Sequence, residues 1–375
     1  MNPLQLSDAA RGRLTEFARA LIDQHRAQVI VPPDEPRSGY WFGGGNLIQD
    51  ADGSLLLAGR CRSGGDSRTG LQAGTRGREL TIFRSTDQGQ SFQKILSCDK
   101  ESLSTADADV LSIEGACLKH VGGEYRLFVS TEKNGSYPES IAEYQKPGAG
   151  VWTIDVLRSA KLDDLQEACV TPLLGSADPV HLHVKDPFSW SGVRTPDGLS
   201  NDVLGFCSHP YGWSSSSTGY AVLDQSGDSV REVRHSVIPR GTTWDVAITR
   251  VTCVLPVPPI GPFADQTHTL LFYCGGECLR PLPEHDTAVN RPRGYSCEEL
   301  GGAAVYVDDD LSTIARLSDT VPLFVSPWGT GCSRYVDVLG TENGFFATWQ
   351  QSQPDQSQPL VLNRLSRDDA EAILR

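Results

Sequence analysis

The sequence predicts an all-β fold, a five-bladed β-propeller, with a six-bladed arrangement as the alternative. Three observations lead there. Strand-like apolar segments recur at Ser54–Ala58, Glu124–Ser130, Val203–Cys207, His268–Tyr273 and Gly344–Trp349. Each follows turn-forming or loop residues, such as Asp50 to Gly53, Val121 to Gly123, or Thr341 to Gly344. They begin roughly 65–80 residues apart, the length of one blade of four antiparallel strands. The 37 glycines and 23 prolines supply the turns. No long helical periodicity interrupts residues 39–365, which argues against alternating βαβ units.

The two ends differ from this pattern. Residues 7–26 read as a helix, with Ser7 as N-cap, Asp8 in the first turn, and Leu14, Phe17, Leu21 and Ile22 on one face. Ser366–Arg375 reads as a second, short helix. The organisation expected is a helical extension over 1–30, a propeller over 31–365 and a helical tail over 366–375.

Composition bounds the function. Of 375 residues, 39% are hydrophobic and 21% charged, as in a globular domain with a large core. The net charge of −14 argues against nucleic-acid binding, which needs a basic face. No apolar run is long enough for a membrane helix. The N-terminus carries no charged-then-apolar signal, so the expected location is cytoplasmic. The ten cysteines are scattered through apolar segments and read as free, buried thiols. Cys274 and Cys278 alone do not make a zinc site, no His-x-x-x-His helix pair occurs, and no metal or other cofactor is called for. Oligomeric state is not legible.

Ser85-Thr86-Asp87-Gln88-Gly89-Gln90-Ser91-Phe92 is a hairpin with its own chemistry. Asp87 accepts from the backbone of its turn, Gly89 takes a positive φ, and Phe92 anchors the turn between blades. It resembles the Asp-box of sialidases and related propellers, a motif that lies away from the active face. Val184-Lys185-Asp186-Pro187-Phe188 resembles the Arg-Asp-Pro element of five-bladed invertases, levanases and arabinanases. Glu277-Cys278 resembles the Glu-Cys element that carries the acid in the invertase group, and the order along the chain agrees. These resemblances imply a glycosidase-type propeller. Trp41-Phe42-Gly43-Gly44-Gly45-Asn46 stands where a first-blade Trp-Met-Asn-Asp-Pro segment is expected, and it carries no carboxylate.

Glycoside cleavage needs two carboxyl groups flanking the scissile bond, with pKa values pushed apart. The inner strand of each blade delivers side chains to the central funnel, so acids at strand ends are the candidates. Asp186 ends a strand on which His181, His183 and Lys185 share one face. Glu277 follows the apolar strand Leu270–Gly276. Asp245 stands beside Trp244, whose ring is suited to stack on a sugar. Glu114 interrupts an apolar stretch, so it is either paired or lines the funnel. Asp66 is the candidate for the missing first-blade carboxylate. It lies in a glycine-rich loop with Arg60, Arg62, Arg68 and Arg76, whose guanidinium forks suit anionic groups. In the last blade, Trp328 is a candidate sugar platform, and Arg334 and Tyr335 are placed to reach the funnel.

The expected function is hydrolysis of a glycosidic bond in a small oligosaccharide, neutral or anionic. Glu277 is the expected acid, Asp66 or Asp245 the base or nucleophile, and Asp186 the group that orients them. Arginines, with His183 and Lys185, hold the substrate. Three alternatives stay open. One is a sialidase-like hydrolase in which Arg60, Arg250 and Arg334, or Arg280, grip a carboxylate and Tyr335 or Tyr295 attacks. The others are a uronide-specific lyase and a non-catalytic sugar-binding propeller.

Overall fold

The computed structural model describes residues 4, 6–62, 77–145, 147–190, 192–195, 198–200, 202–211, 215–224, 226–277 and 299–375. Five four-stranded antiparallel sheets follow one another along the chain, each with its first strand innermost. Blade I holds Trp41–Gly43 continued by Leu47–Gln49, then Leu55–Arg62, Glu79–Ser85 and Gln93–Asp99. Blade II holds Val110–Val121, Glu124–Lys133, Val151–Ser159 and Thr171–Leu174. Blade III holds His183–Trp190, Val203–His209, Ser217–Leu223 and Val230–Arg234. Blade IV holds Ile248–Pro256, His268–Gly276, Leu300–Val307 and Asp310–Arg316. Blade V holds Ser333–Thr341, Gly344–Gln351 and Leu360–Ser366. The five-bladed expectation is met, and the six-bladed alternative falls.

The ring closes through its fifth blade. Gln28–Val31 pairs antiparallel with Leu360–Ser366 as the outermost strand, so the first residues of the chain finish the last sheet. The expected boundary at residue 30 therefore falls inside a propeller strand. Just before it, helix α1 (Asp8–Leu21) is capped by the Ser7 hydroxyl, which accepts from Ala10 N. At the other end, helix α2 (Arg367–Leu374) is capped by Ser366, which accepts from Asp369 N. Leu14, Phe17 and Leu21 of α1 and Leu374 of α2 join one apolar cluster with Leu255 and Phe272 of blade IV and Trp349 of blade V. The apolar faces of both helices thus cover blades IV and V rather than pairing only with each other.

The Asp-box hairpin forms as its residues require. Asp87 accepts from Ser91 N at 2.9 Å and from the Ser91 and Ser85 hydroxyls at 2.6 and 2.7 Å. Gln88 and Gly89 both take positive φ. A second turn of the same construction joins the third and fourth strands of blade III. There Asp224 accepts from Asp228 N and from the Ser226 and Ser229 hydroxyls, and Gly227 takes φ +69°. The spacing from the aspartate to the glycine and to the last serine is one residue longer than in the Asp-box, which hides this copy in the sequence.

Each inner strand carries an extra residue against its neighbour, a β-bulge, and that of blade II carries a second between Val110 and Ser112. In blade II, Ile113 pairs with Thr131 and Ala116 with Val129. In blade III, Lys185 pairs with Cys207 and Phe188 with Gly205. In blade V, Arg334 pairs with Gln350 and Asp337 with Thr348. In blade I, Gly43 pairs with Arg60 and Leu47 with Leu57 across the break at Gly44 to Asn46. The blade IV bulge lies at Thr252, two residues beyond Arg250.

Candidate functional site

The bulges set the site. Asp186 takes φ +52° and Tyr335 φ +53°, a left-handed backbone that side-chain-bearing residues adopt at a cost. Pro187 has no N–H to offer a ladder, which suits the break. Glu114, Asp186 and Tyr335 thereby leave the regular alternation of their strands and converge near one end of the central channel. Arg60 joins them from the second strand of blade I, and Arg250 from the inner strand of blade IV.

Asp186 is the hub. It is only 6% exposed and accepts from Arg250 Nη1 at 3.2 Å, Gly115 N at 3.2 Å and Cys207 Sγ at 3.3 Å. The Tyr335 hydroxyl lies 3.5 Å from its Oδ2. Its own backbone N donates to Ser130 Oγ at 3.1 Å. Gly115 is required here, because a Cβ on it would stand 2.6 Å from Asp186 Oδ1. Burial works to raise the Asp186 pKa, but Arg250, Lys185 and Arg60 outweigh it and hold the carboxyl below its usual range. Asp186 is therefore ionised at neutral pH.

Around this hub the charges alternate. Arg60 Nη2 lies 3.1 Å from Glu114 Oε2 and 4.0 Å from Asp186 Oδ1. Lys185 Nζ lies 4.0 Å from Glu114. Glu114 also accepts from Ser112 Oγ at 2.9 Å. Arg250 bridges Asp186 to Glu299, and Arg334 Nη1 reaches the other oxygen of Glu299 at 3.2 Å. Trp41 is ringed by guanidinium groups, with Arg60, Arg334 and Arg62 at 4.5, 5.3 and 5.5 Å from its ring centre. Its ring stacks at 6.4 Å on Tyr335. Burial raises the Tyr335 pKa, with Arg250 opposing, so the phenol stays protonated. Burial likewise pushes up the thiols of Cys207, to about 12, and of Cys274. Both are inert as nucleophiles in this state.

Of the residues singled out from sequence, Arg60, Arg62, Glu114, Lys185, Asp186, Arg250, Arg334 and Tyr335 come together here. His183 is adjacent but turned to blade II, with its Nδ1 3.1 Å from the Tyr137 hydroxyl and its ring edge-on to Trp152. His181 instead stacks on His235 at 4.2 Å, so the two histidines do not face one ion. Among the described residues no group of three ligating side chains gathers for a metal. Asp66, Arg68, Arg76, Arg280 and Tyr295 lie outside the described residues.

Four other candidates lie outside this set of contacts. Asp245 is fully buried and is held by Arg316 Nε at 2.9 Å and the Tyr273 hydroxyl at 3.0 Å. It is a structural acid of blade IV, outside the cluster. Trp244 is buried as well; it donates to Ser318 O and stacks on Tyr273, with Gly275 and Gly302 against the indole. Its ring packs into the core of blade IV and borders the cavity that Glu277 also lines. Trp328 sits edge-on to His25 at 6.3 Å, apart from the charged cluster. Glu277 is exposed, just beyond the second strand of blade IV. It borders a cavity of about 520 Å³ with Trp244, Leu300 and Val325, and makes no described contact with Asp186.

Two members of the cluster were not picked from sequence. Glu299 immediately precedes the apolar strand Leu300–Val307, the same strand-end position that singled out Glu277. Trp41 lies in a segment noted only for its lack of a carboxylate.

The fold defines the class: a five-bladed β-propeller with a buried charged cluster at one end of its channel. No family model and no curated protein matches the sequence. Solved structures do match the fold. The chain is similar to a structure described as a glycoside hydrolase, with TM-score 0.60, 10% identity and 96% of each chain covered. It is similar to an α-L-arabinofuranosidase from Lactobacillus brevis, with TM-score 0.54, 9% identity, and 89% of this chain and 91% of that one covered. It is also similar to a thermostable family-43 glycoside hydrolase, with TM-score 0.53, 11% identity, and 90% and 94% covered. At such identities the likeness is one of fold.

Proposed function

We propose that the chain cleaves a glycosidic bond in a small oligosaccharide at this mouth of the propeller. One observation carries the reading: Glu114, Asp186 and Tyr335 are placed by bulges of three different inner strands at one point, enclosed by Arg60, Arg250 and Arg334. Strain held in several strands at once is a feature of functional sites. Buried carboxylates amid guanidinium groups supply the fixed charges that an oxocarbenium-like transition state requires.

In this reading Asp186, held ionised, orients Arg250 and Tyr335. Glu277 donates a proton to the leaving oxygen, a role that rests on its Glu-Cys resemblance. Arg60 and Arg334 hold the sugar against Trp41.

A second reading draws on the first blade. Gly44 stands at its bulge, and no carboxylate of blade I among the described residues joins the cluster. In the sialidase-like reading, Tyr335 attacks the anomeric carbon as its phenolic proton passes to Asp186, the glycosidic C–O bond breaks, and the leaving oxygen takes its proton from Glu277.

The test is a panel of chromogenic glycosides, neutral and carboxylate-bearing, with product analysis. Turnover with hydrolytic products that Asp186→Asn abolishes supports the proposal. Unsaturated products absorbing in the ultraviolet would assign a lyase instead, and binding with no turnover on any sugar would assign a binding propeller.

A further inference from the structure

A cavity of about 520 Å³ opens beside blade IV, apart from the contacts around Asp186. It stands at the same end of the ring. Asp186, Arg250 and Tyr335 lie near the starts of their inner strands. In blade IV the inner strand starts opposite the end of the second, where Ile248 pairs with Gly276. Glu277, which lines the cavity, is the next residue.

The pleat relates the cavity to the charged cluster. Gly275 pairs with Leu300, so the two share one face of the sheet, and Glu277, two residues on, belongs to that face as well. Leu300 and Glu277 both line the cavity. Glu299 precedes Leu300 and alternates to the other face, where it holds Arg250 and Arg334. One strand start thus has the cluster on one side and the cavity on the other.

The lining is apolar but for two side chains. Trp244, Leu300, Val321, Pro322 and Val325 form its walls. Thr320 adds a hydroxyl, and Glu277 is the single charge among the described lining residues. Val321 is 63% exposed. Exposed apolar side chains gathered at a concave site mark a binding surface.

We propose that this cavity takes the leaving group of the glycoside, and that the leaving group is an apolar alcohol, aryl-bearing or alkyl. This rests on the reading that the mouth cleaves a glycosidic bond with Glu277 as the acid. It narrows that reading: the bond cut joins the oligosaccharide to an apolar group rather than to another sugar. As the glycosidic C–O bond breaks, the carboxyl proton of Glu277 passes to the leaving oxygen. Water gives a hydroxyl to the anomeric carbon and a proton back to Glu277. The group departs as a neutral alcohol. A sugar in its place would set several hydroxyls against walls whose one neutral hydrogen-bonding side chain, besides the Trp244 indole already given to Ser318 O, is Thr320. An aryl or alkyl group buries apolar surface there instead.

Methyl and 2-phenylethyl glycosides of the sugar that the chromogenic panel selects test this. Both leaving groups are alkanols of similar acidity, so the chemistry of departure is alike and the ratio of kcat/KM values reads the cavity. The wild-type protein is expected to favour the 2-phenylethyl glycoside at least about tenfold. Val321→Asp, at an exposed position, is expected to bring the ratio below about threefold, and Val321→Leu to keep it. A wild-type ratio near one overturns the proposal whatever the variants do. So does a folded Val321→Asp variant that keeps the wild-type ratio.

Titration calorimetry with 2-phenylethanol, the departing alcohol, separates this proposal from the hydrolase reading. Saturable binding that Val321→Asp weakens at least about tenfold, with no glycoside turned over, would keep the apolar site and remove the hydrolase reading alone. Turnover of the methyl glycoside with no binding of 2-phenylethanol would keep the hydrolase reading and overturn the proposal. Binding that begins only when residues 278–298 are replaced by a glycine-serine linker would assign the cavity to that segment of the chain and overturn the proposal as well.

Discussion

The Tyr335 hydroxyl lies 3.5 Å from Asp186 Oδ2, and both residues stand in left-handed backbone on the bulges of two different blades. Neither conformation is favoured by its own residue. Asp186 even precedes a proline, which biases a residue toward extended backbone. Both are held by contacts from other blades: Asp186 by Gly115 N and Arg250, Tyr335 by Cys274 Sγ, 3.2 Å from its backbone N. The pair is therefore a product of ring closure, and it is the point at which substitutions should discriminate between mechanisms.

Tyr335→Phe removes only the hydroxyl. At 3.5 Å its bond to Asp186 is weak, so stability should change by less than about 1 kcal/mol in urea denaturation. If Tyr335 attacks the sugar, turnover on the best substrate of the glycoside panel falls at least about a hundredfold. A change under threefold would remove Tyr335 as nucleophile.

Gly115→Ala puts a methyl group where Asp186 sits. The clash should cost about 1–3 kcal/mol and displace the carboxylate. Because small displacements in an active site are amplified in rate, kcat/KM should fall by about tenfold or more. Unchanged kinetics would show that the position of Asp186 does not matter to the reaction.

Asp186→Asn leaves shape intact and deprives Arg250 of one buried carboxylate. The expected loss is about 3 kcal/mol, measured by chemical denaturation at pH 7. The folded pKa of Asp186 is lowered, so its contribution is complete above the unfolded carboxylate value near ~4. It is lost as pH falls through the folded value. The variant and the wild type should therefore converge in stability in strong acid, and a difference that persists there would contradict the ionised assignment.

Asp337 titrates in the opposite sense. Its Oδ2 accepts from Leu47 N at 2.7 Å, tying blade V to blade I, while burial raises its pKa to about 7. The folded state then holds a proton that the unfolded chain releases between pH ~4 and about 7. Stability from this group falls as pH rises across that window and is level above it. Asp337→Asn should flatten this slope by at least about 1 kcal/mol, which denaturation at several pH values will read.

Asp87→Ala removes the acceptor of the Asp-box, on a hairpin between the third and fourth strands of its blade. Its three bonds hold the carboxyl well below the usual range. Thermal unfolding should move to lower temperature while sugar binding stays the same. Weakened binding with an unchanged melting temperature would contradict a structural role at the far end of the propeller.

Much of the ring was legible in the sequence. Strand segments, turns and the Asp-box hairpin depend on residues close along the chain, and local patterning encodes them directly. The second Asp-box-like turn at Asp224 escaped because its spacing differs, although its hydrogen bonds are alike. The site was legible in its parts. Asp186 is expected at a strand end but lies at a bulge inside its strand, before a proline, and Arg334 stands near the start of its own; in both places a charged residue stands out. Asp245 and Trp244 stand out for the same reason, yet they serve the core between strands of blade IV.

The sequence alone determined the repeating four-stranded units, their number and the capped helices at both ends, because backbone propensity and side-chain alternation act over a few residues. Tertiary structure decided which charges meet. Arg60 with Glu114, Arg250 with Glu299, and Tyr335 with Asp186 are brought together from different strands or blades, across 49 to 149 residues of chain in the latter two pairs. One-residue bulges set by packing around the ring aim them, and no pattern local to any one strand records that aim.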